Sequence, residues 1–198
     1  MAVTPRRRFT RQELESFRDA TVPDLVGPGL RLLFVGINPG LWTAATGTHF
    51  AHPGNRFYPA LLRGGVIRRA IDPTAGMDDD ERAHLIERGI GITNIAPRAT
   101  ARASELSRDE LQAGARDLIR RIEEWKPAVV AIAGITAYRV AFERPRAQTG
   151  RQAEPFGGAE LWIVPNPSGL NAHETVTTLA AAYRRVAKAA GIEVTGGR

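Results

Sequence analysis

Three asparagines stand where this chain could do chemistry: Asn38 in "GINPG" (36–40), Asn94 in "TNIAPRAT" (93–100) and Asn166 in "PNPSGLN" (165–171). Each follows a short apolar run and introduces proline, glycine and small polar residues. A carboxamide does not titrate, which makes it an odd choice for acid–base work. It donates and accepts at once, which suits a nucleobase edge or a held water molecule. Other chemistries have less support. "GINPG" is not G-x-G-x-x-G and no G-x-x-x-x-G-K-[ST] occurs, which argues against dinucleotide and triphosphate cofactors. G-x-S-x-G is absent, which argues against a serine hydrolase elbow. His49 and His52 lie three apart with no third ligand in view, and read as loop-shaping or hydrogen-bonding residues. Asp78, Asp79 and Asp80 read as a charged helix start, since a Mg²⁺ site needs ligands that converge. The sequence has no cysteine, so disulfides, a thiol nucleophile and cysteine-ligated zinc or iron–sulfur clusters are excluded. No metal and no cofactor are expected.

The elements that must position these asparagines follow from periodicity. "LRLLFVGI" (30–37), "IGITNIAP" (90–97), "PAVVAIAGI" (127–135) and "ELWIVP" (160–165) are short, dense apolar runs, as expected of strands covered on both faces. Between them lie helical signals. Thr10 with Glu13 and Ser107 with Glu110 have capping-box spacing. A helix follows near 56–62, and "MDDDERAHLIERG" opens with acids and closes on glycine. Leu111, Ala115, Leu118, Ile119, Ile122 and Trp125 recur at helical spacing. "HETVTTLAAAYRRVAKAAG" is an amphipathic helix stopped at Gly191. Strands alternating with helices predict a three-layer α/β/α fold around a central, mainly parallel four-stranded sheet. Ligands of such sheets bind beyond the carboxyl ends of the strands, so the three asparagines are expected to meet at one sheet edge. A single domain is expected over 10–192, with a loose basic tail at 1–9, a second tail at 193–198 and a mobile stretch at 143–158.

The chain of 198 residues is long enough to bury a sizeable core. Lys and Arg total 27 against 21 Asp and Glu, a net charge of +6, and the only lysines are Lys126 and Lys188. An arginine fork suits phosphate, and the positive balance favours an anionic partner while also serving solubility. No run approaches the ~20 apolar residues that span a bilayer, and no apolar signal region follows Arg6, Arg7 and Arg8. The expectation is a soluble cytoplasmic protein with no membrane partner.

Taken together and in this order, "GINPG", "FAHPGNRF" (50–57) and "NPSGLN" resemble the mismatch-specific uracil/thymine DNA glycosylases of the uracil-DNA glycosylase superfamily. The resemblance runs from about Leu30 to Ala190. It implies a monofunctional glycosylase that flips uracil out of mismatched double-stranded DNA, preferably U·G, and hydrolyses the N-glycosidic bond. Thymine and other damaged pyrimidines are further candidate bases. An abasic site would be left for base excision repair on nucleoid DNA, by a monomeric protein without cofactor. The resemblance puts Asn38 where the family positions its hydrolytic water. Phe50 falls at the stacking position for the extruded base, with backbone groups of Ile37 and Phe50 reading the uracil edge. Asn94 falls at a pyrimidine-contacting position, and Gly40 lets the nucleotide approach closely. Thr43 and Ala44 are expected near the pyrimidine C5. Asn166, Ser168, Gly169, Leu170 and Asn171 form the DNA-contacting segment, with Leu170 as the wedge.

Plainer readings of the same residues stay open at this level. Asn38 also suits a turn, Phe50 a core, and Leu170 a helix-start staple before an Asn171-x-x-Glu174 cap. Asn55 and Arg56 read as pocket-loop residues, and Arg98 and Arg102 as phosphate contacts or surface charge. The chain also departs from relatives. Ala96 and Pro97 stand where many carry an acid, the "AGITAY" loop lacks a lysine, and Asn171 and Ala172 replace a polar–arginine pair. A binding module of the same fold with little catalysis is therefore the alternative, and a nucleoside hydrolase a weaker third.

Overall fold

The strands form where apolar residues run without interruption. Every residue of β1 (Leu32–Gly36), β2 (Ile90–Asn94) and β3 (Val129–Ala133) is buried, because helices cover both faces of the sheet. A computed structural model describes residues 9–196. The strand order is β2-β1-β3-β5-β4, with β5 at Glu160–Val164 and β4 at Gly150–Arg151. The first four strands in that order run parallel, and β4 pairs antiparallel with β5.

Alternate residues of each strand supply opposite layers. Leu32, Phe34, Ile90, Ile92, Val129, Ala131 and Val164 face one cluster. That cluster is completed by α3 (Phe57–Arg63), α4 (Asp79–Glu87) and α7 (Val176–Ala189). Leu33, Val35, Val130, Ile132, Leu161 and Ile163 face a second, closed by α5 (Arg108–Trp125) and α6 (Ile135–Ala141). The expected three-layer α/β/α architecture is therefore present.

Most helix starts obey their sequence signals. Thr10 caps α1 (Arg11–Glu15), Asp78 caps α4 and Ser107 caps α5, each with a reciprocal glutamate three residues on. The acidic run 78–80 is thus a cap and first helical turn.

Several expectations need correction. The sheet has five strands, not four. The missed β4 is two residues long, Gly and Arg, too short for any alternation. It lies inside the 143–158 stretch expected to be mobile, which is instead anchored by β4 and by Phe156 packing edge-on against Phe142 at 5.0 Å. The segment after β3 is the helix α6, not a loop. Asn171-x-x-Glu174 caps nothing; α7 starts from Thr175, whose side chain accepts from the Thr178 N–H. The 1–9 tail lies outside the described residues except for Phe9, whose ring meets Trp42 edge-on at 5.1 Å. The 193–198 tail is tied down in its described part: Glu193 pairs with Arg68 at 2.8 Å and the Thr195 N–H donates to the Gly65 carbonyl at 3.1 Å.

Candidate functional site

From β1 the chain crosses to β2 on one side and, by way of β2, to β3 on the other, so the carboxyl end of β1 is a topological switch point. A cleft of about 900 Å³ opens there. Gly36 to Thr43, Phe50, Asn94, Asn166 and Ser168 to Leu170 line it. The three asparagines of the strand ends do share one cavity. The helix α2 (Leu41–Thr46) forms one wall, and α1 with the segment 101–105 forms the outer wall.

Asn38 is held by one end. Its Nδ2 donates to the Arg98 carbonyl at 2.9 Å, the Pro39 carbonyl at 3.1 Å and the Thr100 hydroxyl at 2.8 Å. Backbone carbonyls only accept, so the nitrogen must face them. Among the described residues no donor reaches Oδ1, and the half-buried amide therefore presents an acceptor to the cleft. The strap that carries Arg98 and Thr100 is held against the β1 loop, with the Thr100 N–H donating to the Pro39 carbonyl at 3.1 Å.

Asn94 is oriented by a chain of the same logic. His49 Nε2 lies 3.0 Å from the Pro23 carbonyl, which can only accept, so Nε2 carries the proton. Burial pushes the His49 pKa down, against the pull of that carbonyl, and keeps the ring neutral. Neutral Nδ1 is then an acceptor, and the Asn94 Nδ2 at 3.2 Å must donate to it. Asn94 Oδ1 is left toward Gly36, where a methyl group on the glycine Cα would lie 2.5 Å from it. The same methyl would sit 3.3 Å from the tip of the Phe50 ring. Gly36 thus forms the pocket floor, and only a residue without Cβ lets the amide and the ring converge above it.

Phe50 takes φ 57°, in the left-handed region that L side chains avoid. Such strain persists only where surroundings impose it. Here the Tyr58 hydroxyl donates to the His49 carbonyl at 2.9 Å, and Phe57 stacks on Phe50 at 4.2 Å and 26°. Phe57 covers one ring face, and Phe50 stays half-buried at the cleft.

The segment 166–171 is a self-bonded turn. Asn166 Oδ1 accepts from the Ser168 N–H at 3.0 Å, and Ser168 Oγ from the Leu170 N–H at 3.3 Å. Leu170 is 91% exposed, the extreme among large apolar side chains of the described residues. Among the described residues no staple contact holds it.

The model of the uracil DNA glycosylase superfamily matches residues 23–188. The chain belongs to this superfamily. A Methanosarcina acetivorans protein solved by NMR, provisionally described as a uracil DNA glycosylase, superposes with a TM-score of 0.59 at 15% identity. The match covers 86% of this chain and 97% of that one, and it supports the same fold.

Two of the expected site residues fall outside the cleft. Ala44 lies one residue beyond the cleft wall on α2, its N–H committed to the Gly40 carbonyl at 3.0 Å. Asn171 faces inward, its Nδ2 donating to the Asn166 carbonyl at 3.1 Å and its Oδ1 accepting from the His173 N–H. The Ile37 carbonyl is already taken by the Ala96 N–H at 2.9 Å, so only its N–H could read a ligand. Arg98 is turned away from the cleft. Its guanidinium pairs with Glu110 at 2.6 Å and Asp19 at 2.7 Å, and the Arg98 bond holds the Glu110 carboxyl down to about 2. Arg102 does line the cleft and is exposed.

Sequence reasoning missed Thr100, the Arg98 carbonyl and Arg121. No motif marks them, because they act through a neighbour. Arg121, on α5, donates to the Asn94 carbonyl at 3.0 Å and pairs with Asp24 at 3.1 Å. It fixes the backbone from which Asn94 projects.

Proposed function

We propose that this superfamily member is a monofunctional DNA glycosylase that acts as a monomer on mismatched duplex DNA and removes uracil, with U·G as the preferred pair. The observation that carries the reading is Asn38: an amide anchored through its nitrogen, with its oxygen turned into a cleft shared with Phe50 and Asn94. The target nucleotide must leave the stack before C1′ can be reached, at a cost of a few kcal/mol that a mismatch lowers. Leu170 supplies the wedge. Burying a leucine side chain is worth about 1.5–3 kcal/mol, which offsets part of that cost. The extruded base stacks on the free face of Phe50. Asn94 Oδ1 accepts the uracil N3–H. Cytosine has an unprotonated N3 and would meet that oxygen acceptor to acceptor. Reversing the amide would break its bond to His49. Gly40 has nothing within 4 Å of where a Cβ would stand, so protein packing does not require a glycine there, whereas close approach of a sugar does.

Asn38 Oδ1 accepts a hydrogen bond from the attacking water and aims its oxygen at C1′. The C1′–N1 bond breaks with its electron pair leaving on N1, and the water oxygen bonds to C1′. The water proton passes to solvent or to the departing uracil anion. The Phe50 N–H, which finds no backbone acceptor among the described residues, can stabilise charge on that leaving base. Incubation with a U·G duplex followed by hot alkali should break the uracil strand. Asn38→Ala should slow base release by about 10²–10³-fold, the scale of removing one placed polar group. Intact strands with wild-type protein on mismatched and single-stranded substrates would end the proposal.

One observation favours a second reading, a damage-binding module with little catalysis. The carboxylates lining the cleft, Glu15 and Glu105, are both paired with Arg18, so among the described residues no unpaired carboxylate stands beside Asn38 to act as general base. Multiple turnover on U·G duplex would exclude it.

A further inference from the structure

Arg56 is half-buried, and its contacts are unusual for an arginine. Its terminal nitrogens donate to three main-chain carbonyls, those of Ser168, Asn171 and Glu174, the Asn171 bond being 2.8 Å. It forms no salt bridge among the described residues, and its Nε is their one buried side-chain polar atom without a partner. The three carbonyls bracket Leu170. The Arg56 N–H adds a fourth bond, to the Pro167 carbonyl at 3.0 Å. Beside it, Gly169 rests on Gly54 so closely that a Cβ would lie 2.6 Å from the Gly54 carbonyl oxygen. Segment 54–56 is therefore the seat of the wedge turn. The next residue, Phe57, is the ring beneath Phe50.

We propose that Arg56 is a positioning residue for duplex DNA: it clamps the 168–174 turn so that Leu170 stands into solvent, and couples that turn to the stacking pair Phe50–Phe57. The inference rests on the glycosylase reading. A fork of planar donors can reach three carbonyls at once, whereas a lysine ammonium presents its donors from one point. Arg56→Lys keeps the charge and loses the fork. The wedge matters only where a base pair must be opened. The clamp therefore affects duplex substrates and spares single strands, which a general loss of folding would not do.

The test compares single-turnover uracil release from a U·G duplex and from the same strand alone, for wild type, Arg56→Lys, Leu170→Ala and the double variant. The ratio of duplex to single-strand rate should fall about tenfold in each single variant, a fraction of the few kcal/mol of base opening. It should fall no further in the double variant, because the clamp acts through the leucine. An unchanged ratio, or a fall that multiplies in the double variant, overturns the proposal. If Arg56→Lys does not fold, Gly169→Ala unseats the same turn and should give the same fall. A 2-aminopurine next to the uracil reports eversion without bond cleavage. If wild type everts the base but releases none, the hydrolase reading fails, and loss of the signal in Arg56→Lys still supports the clamp. If wild type neither everts nor releases the base, both fail.

Discussion

Replacing Asn38 with aspartate is the sharpest test of how the cleft is built, because the two side chains differ by one group. The site around Nδ2 is made for a donor. It holds the Arg98 carbonyl at 2.9 Å, the Pro39 carbonyl at 3.1 Å and the Thr100 hydroxyl at 2.8 Å. The hydroxyl could turn to donate, although it already donates to the Arg102 carbonyl at 2.8 Å. The carbonyls cannot. Asn38→Asp therefore loses bonds worth about 1 kcal/mol each and sets a charged acceptor against two others, at about 1–3 kcal/mol more. Half-burial lets water screen part of this, so a net loss of about 2–3 kcal/mol is expected at pH 8. For a domain of this size that lowers the melting temperature by about 5–10 °C. The sign of the pH dependence follows. Carbonyl neighbours disfavour the carboxylate, which raises the folded-state pKa of the introduced group above its unfolded value of about 3.9. The penalty then begins as pH rises past the unfolded value and saturates above the folded one. Thermal unfolding of both proteins from pH 4 to pH 8 reads the gap directly. A gap absent at pH 8, or one that does not narrow on acidification, refutes the donor-slot account of Asn38.

Gly36→Ala places a methyl 2.5 Å from Asn94 Oδ1; it should destabilise by about 1–3 kcal/mol in denaturant unfolding and nearly abolish uracil release. His49 has a lowered pKa through burial. Below about pH 6.5 the unfolded chain takes up a proton that the folded chain resists, and stability falls by at most ~1.4 kcal/mol per pH unit until the folded pKa is reached. Urea unfolding at pH 7.5 and 5.5 should show this loss in wild type and less of it in His49→Gln, by subtraction of the two. Arg121→Met removes the ion pair to Asp24, which among the described residues keeps only the Thr93 hydroxyl, and the donor to the Asn94 carbonyl. A loss of about 2–3 kcal/mol in chemical denaturation is expected, since the pair is partly rather than fully buried.

The fold was largely legible, and the reasons are particular. Leu32 to Gly36 and Val129 to Ala133 read as covered strands because burial on both faces demands unbroken apolar runs. Capping boxes at Thr10 and Ser107 identified helix starts because the reciprocal bonds need only a fixed four-residue spacing. Strand β4 left no signal, since Gly150 and Arg151 pair only because β5 offers an open edge. The Asn171-x-x-Glu174 spacing misled, because Asn171 Oδ1 accepts from the His173 N–H in a local turn and the Glu174 carboxylate accepts from the Thr178 hydroxyl.

The sequence by itself determined which side chains at the strand ends can accept, donate or present an apolar face, and that parallel strands would carry them to one edge. Tertiary structure decided which end of each amide faces the cleft. Asn38 and Asn94 each have an oxygen and a nitrogen to present. The choice is made by the Arg98 carbonyl, 60 residues away, and by His49, 45 residues away. Arg56 likewise owes its role to carbonyls 112 to 118 residues distant. The physical reason is the same in each case. A backbone carbonyl carries no sequence signature, yet it can only accept, so wherever the fold sets one down it dictates the orientation of the side chain that meets it.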